Sequence, residues 1–553
     1  MTLRRDEALV RLASEVFDVL IVGGGVTGLG AALDATSRGL RTALVERDDL
    51  SSGTSSKSSK LAHGGLRYLQ QGDVRLVYEA LHERQRMLRN APHLVQPLAF
   101  MIPLQARGGV VPRRVARAFG SALWMYDLTG GWRIGRLHRR IAADAAQRHF
   151  PAAPLGRIAG AYVYYDATVD DSRLCVAVAR SAAHRGAVIV NRARVSTILH
   201  DDRGDACGAR VVVPDGDDIV VRARTIVNAT GVWSDFIRSS DEGVDPHSIR
   251  PAKGVHLTVP WSKVRNDVAV IIPVRKDKRS LFVVPWLATG DGTFRYSYIG
   301  TTDTDFEGDV DESHCSRDDL DYVLGALNDA LDVPLDRTDV TATWSGLRPL
   351  VRSDGVSDKT ADLSRRHRVD VSESGVVTVS GGKLTTYRKM AAHAIDAASR
   401  RLGVRARSRT SRLPLVGAAG FDRSELVGPH AHLAGRYGSE RQRIEALVSE
   451  RPELGEPLVA GLPYLRAEAV FAVREEWALS IDDVLSRRTR ARLLDRRASV
   501  AAARTVAELL AGELGWTPER IDAEVREFID SCAREDAAAH VSEDEYVASQ
   551  RQD

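Results

Sequence analysis

Phe17-Asp18-Val19-Leu20-Ile21-Val22-Gly23-Gly24-Gly25-Val26-Thr27-Gly28 opens the stretch that decides the fold. An apolar strand over 17–22 runs into a glycine turn. An alanine-rich helix over 31–38 and a second strand, Thr42–Val45, follow, and the unit ends on Glu46. The glycines Gly23, Gly25 and Gly28 stand in the GxGxxG register. In a βαβ unit the first permits the tight turn and the second lets the backbone approach a pyrophosphate. The third allows close packing of helix on strand, with the helix N-terminus facing the phosphate charge. Glu46 lies about 20 residues on, where a carboxylate can accept both ribose hydroxyls. A glycine turn alone is weak evidence; strand, turn, helix, strand and terminal acid together predict that the chain binds an adenine dinucleotide.

At 553 residues the chain has room for two or three domains. Its hydrophobic and charged fractions are those of an ordinary globular protein, and its net charge of +3 points to no particular partner; no nucleic acid is expected. The four cysteines (Cys175, Cys207, Cys315, Cys532) form no CxxC pair. That argues against a disulfide framework, a structural zinc site or a cysteine-ligated cluster, and for a reducing, cytoplasmic setting with no metal. Residues 1–15 are charged and mildly helical, unlike a secretory signal. No apolar run is long enough to span a bilayer, so any meeting with a membrane is peripheral.

The serine-rich run 50–60 has linker composition. Its place beside the phosphate-binding turn reads instead as a binding loop. A helix is expected over 73–89, up to Pro92. Between 103 and 140, eight arginines (Arg107, Arg113, Arg114, Arg117, Arg133, Arg136, Arg139, Arg140) face one acid, Asp127, around an apolar segment containing Phe119, Leu123, Trp124, Met125 and Tyr126. Two readings stand side by side: an interfacial helix on anionic lipid, or a surface helix that packs Trp124 and Tyr126 inward. A helix over 170–185 then feeds a strand over 187–190. Paired strands over 208–213 and 219–223 precede an apolar strand that ends at Ala229-Thr230-Gly231. The strand-rich run 255–303 reads as an antiparallel substrate layer. Another strand, glycine turn and helix start lie at 376–386. Beyond about 403, Ala, Leu, Glu and Arg at helical spacing, clearest over 468–478 and 498–514, predict a helical domain; from 536 the polar chain is expected to fray.

One long motif carries a family likeness: Thr54-Ser55-Ser56-Lys57-Ser58-Ser59-Lys60-Leu61-Ala62-His63-Gly64-Gly65-Leu66-Arg67-Tyr68-Leu69. With Gly300-Thr301-Thr302-Asp303, Ser345-Gly346-Leu347-Arg348-Pro349-Leu350 and Gly381-Gly382-Lys383-Leu384-Thr385-Thr386, the chain resembles the FAD-dependent, quinone-linked glycerol-3-phosphate dehydrogenases, from about 17 to 497 and in order. The resemblance implies an α/β fold with α+β elements: a Rossmann-like FAD domain of the amino-acid-oxidase type, an antiparallel substrate-binding layer and an α-helical C-terminal domain. The expected division is 14–402, 403–535 and a polar tail, 536–553. Within the first unit, FAD-binding parts (14–100, 155–240, 340–402) interleave with substrate-binding parts (101–154, 241–339). It further implies non-covalent FAD and oxidation of sn-glycerol 3-phosphate to dihydroxyacetone phosphate. Electrons would pass to membrane quinone at an anionic membrane surface, with the protein cytoplasmic and held on the inner face of the membrane; a homodimer is left open.

Residue by residue, the resemblance places Gly23, Gly25, Gly28 and Glu46 at the ADP part of FAD, and Thr54, Ser55, Ser59, Leu61 and His63 along the flavin. Ala229 and Gly231 fall near the adenosine, and Gly382, Leu384 and Thr385 near the isoalloxazine. Arg67, Tyr68, His256, Arg348, Arg365 and Lys383 fall at the substrate pocket; the run Arg365-Arg366-His367-Arg368 offers several alignments.

The chemistry supports these roles. Removing a hydride and a proton from a secondary alcohol needs a base and a site that stabilises new negative charge on the flavin. A helix start at 381–383 with Lys383 can supply that stabilisation. Arg348, held extended by Pro349, can bind phosphate as a fork. His256, in an apolar strand, is the candidate base, with His63 second. The rival readings are an oxygen-reducing oxidase, the FAD subunit of a multi-subunit dehydrogenase, and an FAD-stabilised scaffold without turnover.

Overall fold

The structure is a computed structural model and describes residues 4–66, 73–105, 113–214, 216, 218–274, 279–352 and 366–550; of 105 and 113–119 only the backbone is described. The predicted βαβ unit sits at the centre of a six-stranded sheet. Its strand order is Arg368–Val371, Val377–Ser380, Ile226–Asn228, Val19–Val22, Thr42–Val45, Val188–Val190, parallel except for the first strand. The apolar run 19–22 is continuous because both faces of this sheet are covered. Val19 and Ile21 pack toward the helices Val26–Ser37, Asp171–Ala183 and Tyr387–Arg401. Leu20 and Val22 pack toward a four-stranded sheet that contains the expected pair Ala206–Val212 and Ile219–Ala223. The helix of the βαβ unit starts at Val26, five residues before the alanine-rich run suggested, because its first turn is built from the glycine loop itself.

The second layer is a ten-stranded, largely antiparallel sheet that contains Ile249–Pro260, Ser280–Ala288 and Phe294–Gly300. Two strands expected among the FAD-binding parts, Ile158–Val169 and Ala342–Val351, belong to this sheet, paired with Val95–Gln105 and Ile249–Pro260. The chain therefore crosses between layers more often than composition indicated. The C-terminal region is helical, with Arg466–Glu476, Arg496–Leu514 and Pro518–Ala538 as its main elements. The expected frayed tail is corrected here. Pro518–Ala538 continues past 536, and a further helix, Glu543–Gln550, docks on the main body. Glu543 pairs with the buried Lys253, and the Tyr546 hydroxyl donates to the Glu312 carbonyl. These contacts are polar, so the hydrophobic pattern carried no sign of them.

Helix Arg113–Thr129 divides its apolar residues between both readings. Leu123 and Tyr126 are buried, so Leu123 is a core residue and not part of an interfacial face. Trp124, Met125 and Leu128 point outward, with Leu128 79% exposed, and Trp132 and Leu137 nearby in the chain are exposed as well. The side chains of Arg113, Arg114, Arg117 and Phe119 lie outside the described residues. No described helix is long and apolar enough to cross a membrane.

Candidate active site

One cavity of about 580 Å³ runs from the glycine turn, between the two sheets, to the strand carrying His256. At its dinucleotide end lie Gly23, Gly25 and Glu46. Gly28 sits behind them, where a Cβ would come 2.0 Å from the Gly23 carbonyl oxygen, so only glycine lets helix and turn close. The Glu46 carboxylate accepts from Gly24 N at 2.5 Å and Asp48 N at 2.8 Å. Burial, against the pull of these amides, raises its pKa to about 7. Ala229 and Gly231 close this end from the neighbouring strand.

The 54–63 loop forms the cavity's long wall. Thr54 donates to Leu347 O at 2.6 Å, and Ser55 Oγ accepts from Val26 N at 2.9 Å, at the start of the phosphate-facing helix. Leu61 begins a short strand paired to Thr168. Across the cavity, Gly381 and Gly382 both take left-handed backbone (φ +73° and +84°), turning the chain from strand into the Leu384–Thr386 turn and helix Tyr387–Arg401. Gly382, Lys383, Leu384 and Thr385 line the cavity here. Thr385 Oγ1 accepts from His63 N at 3.1 Å, tying the two loops together across the cavity.

At the far end, strand register explains the constellation. His256 lies directly opposite Trp344 on one neighbouring strand and Gly300 on the other. The imidazole stacks on Trp344, with centroids 4.7 Å apart and planes 6° apart. A Cβ on Gly300 would stand 2.2 Å from His256 Cδ2, so glycine there makes room for the ring. Nε2 bonds Ser59 Oγ at 2.8 Å; Nδ1 is buried with no hydrogen-bond partner among the described residues. Burial, then the Lys60 and Arg348 charges, hold His256 well below the usual imidazole range, which keeps the ring neutral. Arg348 Nη1 reaches Asp303 at 2.9 Å, and Nη2 reaches Thr301 Oγ1 at 3.1 Å. The guanidinium is thus fixed while its side chain stays 23% exposed at the cavity. Ser59, expected along the flavin, lines the cavity and bonds His256. Arg67, Tyr68 and Arg365 lie outside the described residues.

The profile described as FAD dependent oxidoreductase matches residues 18–388, and that described as C-terminal domain of alpha-glycerophosphate oxidase matches 408–521. Glycerol-3-phosphate dehydrogenase 2 of Mycobacterium tuberculosis (strain ATCC 25618 / H37Rv) is 42% identical over 541 residues, covering 95% of this chain and 90% of its own length. The chain belongs to the FAD-dependent glycerol-3-phosphate dehydrogenase family. The mitochondrial member from Homo sapiens is 36% identical over 93% of this chain and 72% of its own length. The crystal structure of the Bacillus halodurans family member with FAD superposes with a TM-score of 0.76 at 27% identity, covering 96% of this chain and 97% of that one. This family member is an oxidoreductase whose cofactor is FAD. The cavity fits that group: a glycine-lined helix start for the pyrophosphate, a buried carboxylate for the ribose, and a second glycine turn for the ring.

Several site residues escaped the sequence reading. Trp344 and Gly300 lay inside quoted motifs, but their link to His256 is a register fact that motif spacing does not contain. Arg47, Asp311 and Trp233 form a bridge at the cavity mouth: Arg47 Nη2 to Asp311 at 2.7 Å, and Trp233 Nε1 to the same carboxylate at 2.7 Å. Arg47 follows Glu46 directly, a local signal, whereas Asp311 comes from 264 residues away.

Proposed function

We propose that this protein oxidises sn-glycerol 3-phosphate to dihydroxyacetone phosphate and passes the electrons to membrane quinone. The observation that carries the reading is the single cavity joining the dinucleotide turn to Arg348, His256 and Lys383. The names of the relatives support the same substrate. FAD, when bound, supplies the acceptor for the hydride leaving C2. Arg348, oriented by Asp303 and Thr301, takes the phosphate dianion. His256, neutral and poised by Ser59, takes the hydroxyl proton. Lys383 and the amides at 381–383, which line the cavity, would offer the bound ring a positive environment. Arg67, Tyr68 and Arg365 complete the pocket in this reading. The units 14–402 and 403–535 are taken as its domains.

Quinone lies in the bilayer, so electron delivery calls for docking at the inner face of the cytoplasmic membrane. The exposed Trp124, Met125, Leu128, Trp132 and Leu137, with the exposed Arg136, Arg139 and Arg140 close by in the chain, suit an anionic surface. Anaerobic mixing of the FAD-loaded protein with glycerol 3-phosphate should bleach the flavin absorbance. Turnover should then require quinone in anionic vesicles. A flavin that stays oxidised removes the substrate assignment; stoichiometric peroxide in air without quinone turns the reading to an oxidase.

A further inference from the structure

The bond between Ser59 and His256 is held from outside the FAD domain. In the C-terminal region a π-helical turn, Asp483–Arg488, leads to Arg490, whose backbone is left-handed (φ +77°) and whose side chain is 2% exposed. Its guanidinium reaches down into the 54–60 loop. Nη2 pairs with Asp171, Nε reaches Asp170 at 3.2 Å, and Nη1 donates to Ser56 O at 3.2 Å. Asp171 is wholly buried, and its other oxygen accepts from Ser58 N at 3.1 Å and Ser58 Oγ at 2.6 Å. Ser58 Oγ in turn accepts from Lys60 N at 3.0 Å. Ser59, the residue that bonds His256, lies between these two anchored positions.

The same segment grips the other partner. Thr258 shares the His256 face of its strand, two residues on. It donates to Leu493 O at 2.6 Å, while Thr341, the residue just before the Trp344 strand (Ala342–Val351), donates to Leu494 O at 2.6 Å. The stretch 490–494 therefore touches both sides of one catalytic hydrogen bond, by side chain on the loop and by backbone carbonyls on the sheet. A purely adhesive interface needs no such convergence; the Arg180–Glu440 pair joins the same two regions away from the loop.

We propose that Arg490 is a positioning residue for the dehydrogenation: through Asp171 and Ser58 it sets Ser59 against His256, which makes the helical C-terminal domain a working part of the active site. The inference rests on the reading of His256 as the base. The test is anaerobic stopped-flow flavin reduction by glycerol 3-phosphate in full-length, FAD-loaded Arg490→Lys. That substitution keeps the charge but loses the fork that spans Asp171 and Ser56. The limiting reduction rate should fall about 10- to 100-fold, as for a small misplacement of a reacting group, while substrate Kd stays within about twofold. Ser59→Ala should fall similarly, and the double variant should be no slower than Ser59→Ala alone. Hydrogen–deuterium exchange should quicken in the 55–61 peptide of Arg490→Lys, and Arg180→Lys should reduce its flavin at the parental rate. Should Arg490→Lys fail to fold, Thr258→Val severs the sheet-side grip and should slow reduction on its own. Multiplicative losses in the double variant, or parental rates in both Arg490→Lys and Thr258→Val, overturn the proposal. His256→Asn separates the two readings: a slow His256→Asn beside a fast Arg490→Lys rejects the clamp alone, and a fast His256→Asn rejects the base and the clamp with it.

Discussion

If Glu46 holds the ribose, FAD binding should depend on pH with a sign and a size that follow from the surroundings of its carboxylate. The carboxyl is buried and is raised from 4.5 to about 7, chiefly by desolvation. Ribose hydroxyls donate to the charged form, so FAD should select deprotonated Glu46 and release a proton on binding. At pH 6 about one site in eleven is deprotonated, and at pH 8 about ten in eleven. The apparent Kd of FAD for the apoprotein should therefore tighten about tenfold across that interval. The apoprotein alone runs the other way. A pKa raised in the folded state contributes stability that is fully present below 4.5 and is lost as pH rises through about 7, a swing of about 3 kcal/mol. Flavin-fluorescence quenching on titration of apoprotein, at pH 6, 7 and 8 and fixed ionic strength, measures the first effect. Melting of the apoprotein from pH 4 to pH 8, which spans both values, measures the second. Glu46→Gln should flatten both curves. A Kd that is level or weakens from pH 6 to 8 in the parent would refute the assignment of Glu46 to the ribose.

Three further outcomes are expected. Gly25→Val should give colourless protein, because even a Cβ comes 3.2 Å from Ser55 Oγ and the branched side chain fills the pyrophosphate approach; full FAD content after purification would displace the turn from this role. Arg348→Ala should weaken glycerol 3-phosphate by about 1.5–3 kcal/mol, roughly 10- to 150-fold in Kd, with Arg348→Lys intermediate, as read from spectral titration of the bound flavin; an unchanged Kd takes Arg348 out of the pocket. Serine at Trp124, Met125 and Leu128 together should abolish co-sedimentation with anionic vesicles and quinone reduction while soluble-dye reduction persists, since these side chains are exposed; equal loss of both activities would make the helix a structural one.

What the sequence disclosed and what it withheld divide along sequence separation. The dinucleotide turn was legible because its chemistry is local: strand, glycines, helix and acid lie within thirty residues, and each does its work beside its neighbours. Helix Arg113–Thr129 shows a pattern present but left ambiguous. Leu123 and Tyr126 are three apart and share the inner face, whereas Trp124 and Leu128 are four apart and share the outer, so helical spacing separates residues that hydrophobicity alone groups together. The stack of Trp344 on His256 depends on strand register, and the reach of Arg490 to Asp171 spans 319 positions. Neither leaves a periodic trace. Buried ion pairs are especially hard to foresee, because the same arginine–aspartate composition also describes a solvated surface, and only burial separates the two. The helical domain was accordingly easy to predict as an element and silent as to purpose. Its helices follow from apolar spacing, whereas its placement follows from charges such as Asp49, which is buried against Arg487 and Arg488. A charge so deeply enclosed is destabilising without its partners, and for Asp49 those partners come from the C-terminal region. Fold class could be read from local pattern, but the geometry around His256 belongs to the assembled chain.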